Sequence, residues 1–340
     1  MKNITIKDIA KISGVSITTV SNVINGKKEK VSQDTLDRIN KTLKDLNYIP
    51  NSSARSLVQN RSKLIGVIIP QTEDHKQLLL QNPFYSEIVS GIETKIREHG
   101  YTMILTGVDK NKDYLDVFIK WSLDGAIIMG IYKEQFYEEL KRINIPIVLV
   151  DSYINDSYFY KIGIDDELGG YMAAKYLISK GHKKIALVTG SIIKDGVTEK
   201  RFLGYKRALE EASIFYNPDN VYEESVSFEH GYKTGLELSE RMGDITAVFA
   251  TADLIATGVI SGFYNSGIKV PDDVSVIGFD DISITKMLIP PMTTIKQDIY
   301  DKGQRSVEKL IDAIEGSGNI IKNEELLPLS IIERMSVKEI

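Results

Sequence analysis

Short unbroken runs of Val, Ile and Leu recur along the chain from Lys63 onward: LIGVIIP, YTMILTG, GAIIMG and IPIVLVD, then, after about residue 162, KKIALVTG, AVFATAD and VSVIGFDD. Apolar runs this short, without polar alternation, predict parallel strands covered on both faces, and the amphipathic stretches between them predict the covering helices. The series runs through twice. It therefore predicts two doubly wound parallel-sheet subdomains facing one another. In open sheets of this type the ligand lies beyond the carboxyl ends of the strands, so two facing sheets define a cleft.

The first 63 residues follow another pattern. Thr5 precedes an amphipathic segment with Ile6, Ile9, Ala10 and Ile12 on one side, and Thr5 with Asp8 has the spacing of a capping box. Ser13-Gly14-Val15 ends that helix, because Gly14 can take the positive φ of a tight turn. Ser16 then caps a second helix with Val20, Val23 and Ile24 inward, and a third begins at Ser32 and carries Leu36, Ile39, Leu43 and Leu46 inward. Two short helices joined by a three-residue turn containing glycine form a helix-turn-helix unit, whose second helix enters the major groove of DNA. Its exposed residues Ile17, Thr18 and Asn22 face base edges, while Thr19, Ser21 and Asn25 suit phosphates. Asn51 to Val58 is small and polar, too short to hold a helix unless something supports it.

Charge sharpens this division. Residues 1 to 63 carry twelve Lys and Arg against five Asp and Glu, a surplus of +7, which leaves −12 for the remainder of a chain whose total is −5. A basic head on an acidic body suggests that one end meets a polyanion. The chain has 340 residues, 42% hydrophobic and 26% charged, which suits about two globular domains and something small. Cysteine is absent, and His75, His99, His182 and His230 lack ligand spacing, so no metal site, thiol nucleophile or other cofactor is expected. The start, MKNITIKDIA, has no apolar signal region and no run approaches a membrane span; the expected location is the cytoplasm, with no membrane partner.

Residues 4 to 63 resemble the DNA-binding head and hinge of the lactose/galactose repressor (LacI/GalR) family through IKDIAKISGVSITTVSNVIN, LNYIPNSSARSL and IGVIIP, and the resemblance continues to VIGFDDISITKMLIPPMTTIKQD. It implies a homodimeric repressor on a pseudo-palindromic double-stranded operator, governed by a small effector. Its fold is a helix-turn-helix head at 1–50, a hinge helix and linker at 51–62, and a periplasmic-binding-protein-like domain for effector and dimerisation at 63–340. The N-subdomain is expected at about 63–161 plus 293–322, the C-subdomain at about 162–292 plus 323–340. By match to the ARSL motif, Leu57 is the wedge that opens a base step in the minor groove. Thr5, Ser16, Asn51 and Ala54 complete the DNA-contacting set. Many members carry Arg where this chain has Asn22; Arg favours guanine and Asn adenine, so the operator is expected to differ there.

For the effector, the residues at strand ends are Asp151, Ser191, Asp253, Asp280 and Asp281, joined by Arg201 in EKRFLGY and the aromatic pair Phe84 and Tyr85. A guanidinium and carboxylates can hold hydroxyls, and an aromatic face packs on a pyranose or a purine. The resemblance places Arg201 and Asp280 on effector-contacting positions, Asp151 on a pocket residue of some members and Phe84 on a stacking aromatic; the aromatic after the seventh strand falls on Val226 or Phe228, and Phe228 is taken. Ala252 stands where several relatives have Asn, which removes a polar contact. A sugar or sugar phosphate is the first expectation, a nucleobase the second. The rival from another class is an enzyme using the cleft carboxylates on a sugar or nucleotide, against which stands the lack of any glycine-rich phosphate loop. A solute-binding protein is the third reading, opposed by the basic head.

Overall fold

A computed structural model describes residues 4–24, 26, 29, 31–48, 61–71, 79–109, 118, 120–130, 134–154, 158–316 and 324–340. Two compact units emerge, Met1–Ser62 and Lys63–Ile340.

In the first unit α1 (Ile6–Ser13), α2 (Ile17–Ile24) and α3 (Gln33–Asp45) close around Ile9, Ala10, Val20, Val23 and Ile39. The capping box forms as the spacing predicts: Asp8 N donates to Thr5 Oγ1, and Thr5 N to Asp8 Oδ2 at 2.8 Å. Gly14 takes φ +66°, which turns the chain into α2, and Ser16 Oγ accepts from Thr19 N at 3.0 Å. One expectation fails. Ile12 is 61% exposed, and the inward position one turn after Ile9 and Ala10 belongs to Ser13, whose hydroxyl donates to Thr42 Oγ1 at 3.0 Å. A helix advances 100° per residue, so Ile6, Ile9, Ala10 and Ser13 share a face that Ile12 leaves.

The second unit contains β1 (Leu64–Gln71), α4 (Pro83–Glu98), β2 (Thr102–Asp109), β3 (Gly125–Met129), α5 (Glu134–Leu140), β4 (Ile147–Val150), β5 (Tyr160–Ile164), α6 (Asp166–Ser179), β6 (Ile185–Gly190), α7 (Val197–Glu211), β7 (Val221–Glu224) and α8 (Phe228–Ser239). It continues with β8 (Ala247–Ala250), α9 (Asp253–Asn265), β9 (Ser275–Asp280), β10 (Thr293–Gln297), α10 (Ile299–Glu315), β11 (Glu324–Leu327) and β12 (Leu329–Ile332). One sheet runs β11-β5-β4-β3-β1-β2 and the other β12-β10-β9-β8-β6-β7. Every pairing is parallel except β10 with β12. All residues of β3, β4, β6, β8 and β9 are buried, which is why these strands read as continuous apolar runs.

The chain crosses between the sheets a few residues later than the expected bounds at about 161, 292 and 322. Residues 162–164 pair with β4 and β11 in the first sheet, 293–297 with β9 in the second, and 324–327 with β5 in the first. Backbone pairing, invisible to periodicity, moves the crossings to 165, 298 and 328. Two of these are equivalent: Asp165 (φ −81°, ψ 88°) and Asp298 (φ −83°, ψ 85°) both cap the helix that follows, accepting from Leu168 N at 2.8 Å and Asp301 N at 3.0 Å.

Two glycine contacts then bring helices to backbone distance. A Cβ on Gly204 of α7 would lie 2.0 Å from Glu167 O of α6, and one on Gly303 of α10 would lie 2.5 Å from Ile88 O of α4. Only glycine permits either approach. Arg201 stands one turn before Gly204 and Lys302 directly before Gly303, so these crossings set both cations at the ends of the strands.

Candidate functional site

Around α2 the expected exposures hold at Ile17 and Thr18 but not at Asn22, which is half-buried. Ser16, Ile17 and Thr18 are exposed, Ile17 by 48%, while Thr19, Ser21 and Asn22 are half-buried and Val20 and Val23 fill the core behind them. The Ser16 and Thr19 hydroxyls lie 2.8 Å apart, and Thr5 is exposed at the start of α1. Asn25, Asn51, Ala54 and Leu57 lie outside the described residues.

In the second unit, side chains from both subdomains converge at the strand ends. Arg201 is 7% exposed. Its Nε donates to Asp166 Oδ1 at 2.7 Å, its NH1 to Thr251 O at 2.5 Å, and its guanidinium lies 3.6 Å above the Phe279 ring. NH1 also stands 3.7 Å from Asp280 Oδ1, which accepts from Gln297 Nε2 at 2.7 Å. Gln297 Oε1 in turn accepts from Lys302 Nζ at 2.6 Å, and the same ammonium donates to Asp151 Oδ1 at 2.7 Å. Tyr153, two residues past Asp151, donates its hydroxyl to Asp166. The result is a ring, Asp151, Lys302, Gln297, Asp280, Arg201, Asp166 and Tyr153, that crosses between the subdomains at Gln297 and again at Tyr153.

Burial dominates the electrostatics of this ring. It pushes Asp280 up to about 6, against the opposing pull of Arg201, and raises Asp166 in the same way. Asp151 and Asp280 hold φ +51° and +120°, left-handed conformations that a non-glycine residue keeps only where its surroundings impose them.

The remaining candidates sort differently. Phe84 is half-buried at the start of α4, 5.6 Å edge-on to Tyr85, with Lys302 Nζ 5.8 Å from its ring centre. Asp253 is fully buried and both its oxygens are committed, one to Thr294 Oγ1 at 2.7 Å and one to Ile282 N at 3.0 Å, so it ties α9 to the sheet. Ser191 is exposed and donates to Glu224 O at 2.8 Å. Phe228 is half-buried and stacks on Tyr232 at 6.1 Å; Val226 is half-buried beside it in sequence. Asp281 pairs with Arg334 at 2.6 Å. Among the described residues no group of three or more His, Cys, Asp and Glu could hold a metal ion, and no helix is long and apolar enough to cross a membrane.

Asp166, Gln297, Tyr153 and Lys302 escaped the sequence reading. For Lys302 a signal existed: it shares a face with Ile299, Ser306, Val307 and Leu310, and a lysine on the apolar face of an amphipathic helix is rarely tolerated unless paired.

A helix-turn-helix in one unit and, in the other, two parallel sheets joined by a polar ring are the parts of a ligand-responsive DNA-binding regulator. Residues 5–51 match the model of bacterial regulatory proteins of the lacI family, and 174–337 that of a periplasmic binding protein-like domain. The transcriptional repressor PurR of Vibrio atlanticus is 36% identical over 340 residues, 98% of each chain, and the ribose operon repressor of Haemophilus influenzae 34% over 333 residues, 96% of this chain and 97% of that one. A crystal structure of the lac repressor dimer bound to operator and an anti-inducer superposes with a TM-score of 0.84 at 28% identity, over 99% of this chain and 100% of that one. The chain belongs to the LacI family of bacterial transcriptional regulators and is not an enzyme.

Proposed function

We propose that the chain is a repressor that binds a pseudo-palindromic operator as a homodimer in the cytoplasm and answers to a small molecule held in the cleft between its subdomains. The polar ring carries this reading. It joins Asp151 and Lys302 of one subdomain to Asp280 and Arg201 of the other, so a ligand touching both pairs binds one relative orientation of the subdomains better than another. Differential affinity of that kind is what lets a ligand shift an equilibrium, typically by about 1 to 3 kcal/mol. Ser16, Ile17, Thr18, Thr19, Ser21 and Asn22 present the DNA-facing surface, with Thr5 beside it. Arg201, Asp280, Asp151, Phe84 and Tyr85 form the effector set, and a sugar is its ligand. Support comes from the hydroxyl-binding chemistry of the ring and from the relative named for the ribose operon. Dimerisation is supported by the operator-bound lac repressor dimer.

Selection of genomic fragments by the purified chain, followed by sequencing, tests the DNA half: a short pseudo-palindrome upstream of a few genes is the expected result, and retention without common sequence overturns it. For the ligand half, Arg201→Ala should keep operator binding and lose its response to added metabolites. A normal response in that variant moves the effector site elsewhere.

A further inference from the structure

The Tyr153 hydroxyl lies within hydrogen-bonding distance of two oxygens, Asp166 Oδ2 and the Ile164 carbonyl at 3.0 Å, and a phenol has one proton to give. With Asp166 ionised, that proton goes to the carboxylate and the Ile164 carbonyl faces an oxygen with no hydrogen between them. With Asp166 neutral, the direction reverses: the carboxyl O–H donates to Tyr153, Tyr153 donates to Ile164 O, and both contacts become bonds. Asp166 Oδ1 accepts from Arg201 Nε at 2.7 Å in either case.

The charges of the ring agree with the second arrangement. Lys302 pairs with Asp151 at 2.7 Å, which leaves Arg201 between two carboxylates, Asp166 at 2.7 Å and Asp280 at 3.7 Å. Asp166 is 1% exposed and Asp280 6%, so ionisation of both would bury a negative charge that no cation of the ring matches. One proton removes it. Asp280 Oδ1 accepts from Gln297 Nε2 at 2.7 Å, whereas Asp166 has in Tyr153 a hydroxyl oxygen to donate to, so the proton belongs on Asp166. Around Asp166 stand Arg201 on α7, Asp151 and Tyr153 between β4 and β5, Lys302 on α10 and Asp280 at the end of β9. Arg201 and Lys302 favour the anion, as does the N-terminus of α6; burial, the largest influence, and Asp151 favour the acid.

We propose that Asp166 is a positioning residue that works as a neutral carboxylic acid at pH 7. It donates to Tyr153 across the crossing at 165, holds Arg201 through Nε, and leaves the guanidinium charge to Asp280. A proton thereby becomes part of the link between the subdomains.

Infrared difference spectroscopy on the full chain at pH 7, wild type against Asp166→Asn, tests it. Asparagine keeps both bonds, its nitrogen donating to Tyr153 and its oxygen accepting from Arg201, so the variant should fold. The difference should show loss of a carboxylic acid C=O band with the carboxylate bands unchanged, and Tyr153→Phe should move that acid band to higher frequency, because the O–H loses its acceptor. Loss of carboxylate bands, or an Asp166→Asn chain that does not fold, overturns the inference, since breaking a buried ion pair is what strongly destabilises. Between pH 4 and 7 the folded acid keeps a proton that the unfolded chain releases, so wild type should lose melting temperature relative to Asp166→Asn as pH rises; a gain overturns the inference. The positioning role rests on Arg201 reading the effector. The response of operator binding to a metabolite extract should stay within about twofold in Asp166→Asn and fall at least about fivefold in Asp166→Ala, or in Asp166→Ser where alanine does not fold. A full response in both, with none in Arg201→Ala, overturns the positioning role. A full response in Arg201→Ala instead counts against the reading of the cleft, and the infrared spectrum judges the proton independently of it.

Discussion

Asp280 concentrates several costs in one residue: a left-handed backbone at φ +120°, nearly complete burial, and a carboxyl pushed up to about 6 by that burial. Its folded pKa lies above the unfolded value of about 3.9, so the folded state holds a proton that the unfolded state has released. Stability linked to that proton is fully present below about pH 4 and is lost as pH rises through about 6. Asparagine stays neutral throughout. The stability of Asp280→Asn relative to wild type should therefore increase by up to about 3 kcal/mol between pH 4 and 7, read from the difference in melting temperature across that range. A constant difference would show that Asp280 ionises as an ordinary surface carboxyl. Asn22 carries a prediction of another kind. Its half-buried amide lies on the exposed side of α2, and asparagine pairs with adenine where arginine pairs with guanine. Asn22→Arg should change the preferred base at one position in each half-site of the selected operator, leaving the other positions as they were.

Among the elements, the helix crossings matter more to the site than the strands do. The contact between α6 and α7 leaves no room for a Cβ at Gly204, and Arg201, one turn earlier, reaches Asp166 across it. Gly204→Ala must push the two backbones apart. The loss expected is about 2 to 4 kcal/mol of stability in the second unit, from a close contact that has only backbone to yield. Ligand response should fall further than stability alone accounts for, because the guanidinium moves with its helix. Equal operator affinity without ligand, measured alongside, confirms that the first unit is untouched. The same reasoning explains which elements were legible in the sequence. Strands β3, β4, β6, β8 and β9 announce themselves because burial on both faces leaves them almost wholly apolar, the exceptions being Thr189 in β6 and Ser275 and Asp280 at the two ends of β9. Face assignment in α1 is less secure from spacing alone, where one residue of error exchanged Ile12 for Ser13.

The whole molecule divides its charge as it divides its work, +7 in residues 1 to 63 and −12 in the rest. If six or more phosphates are neutralised by the basic head, operator affinity should fall by roughly a thousandfold between 50 and 200 mM salt. Ligand affinity, set in a buried cleft shielded from ions, should change little over the same range. A shallow dependence of operator binding would mean that few phosphates are touched. Two domains of opposite charge, parallel strands and a helix-turn-helix were determined by the sequence itself, because hydrophobic periodicity, capping spacing and local charge are properties of neighbours along the chain. So were Asp151 and Asp280 as candidates, since each follows an apolar run whose end is visible, whereas Arg201 was picked out in EKRFLGY and by the family resemblance. Only the tertiary structure decided that Asp253 is spent on Thr294 and Ile282, that the crossings fall at 165, 298 and 328, and that Lys302, more than a hundred residues from Asp151, shares a hydrogen bond with it. Those outcomes depend on which strand pairs with which and on how closely two helices approach, and no local pattern in the chain records a distance between segments so far apart.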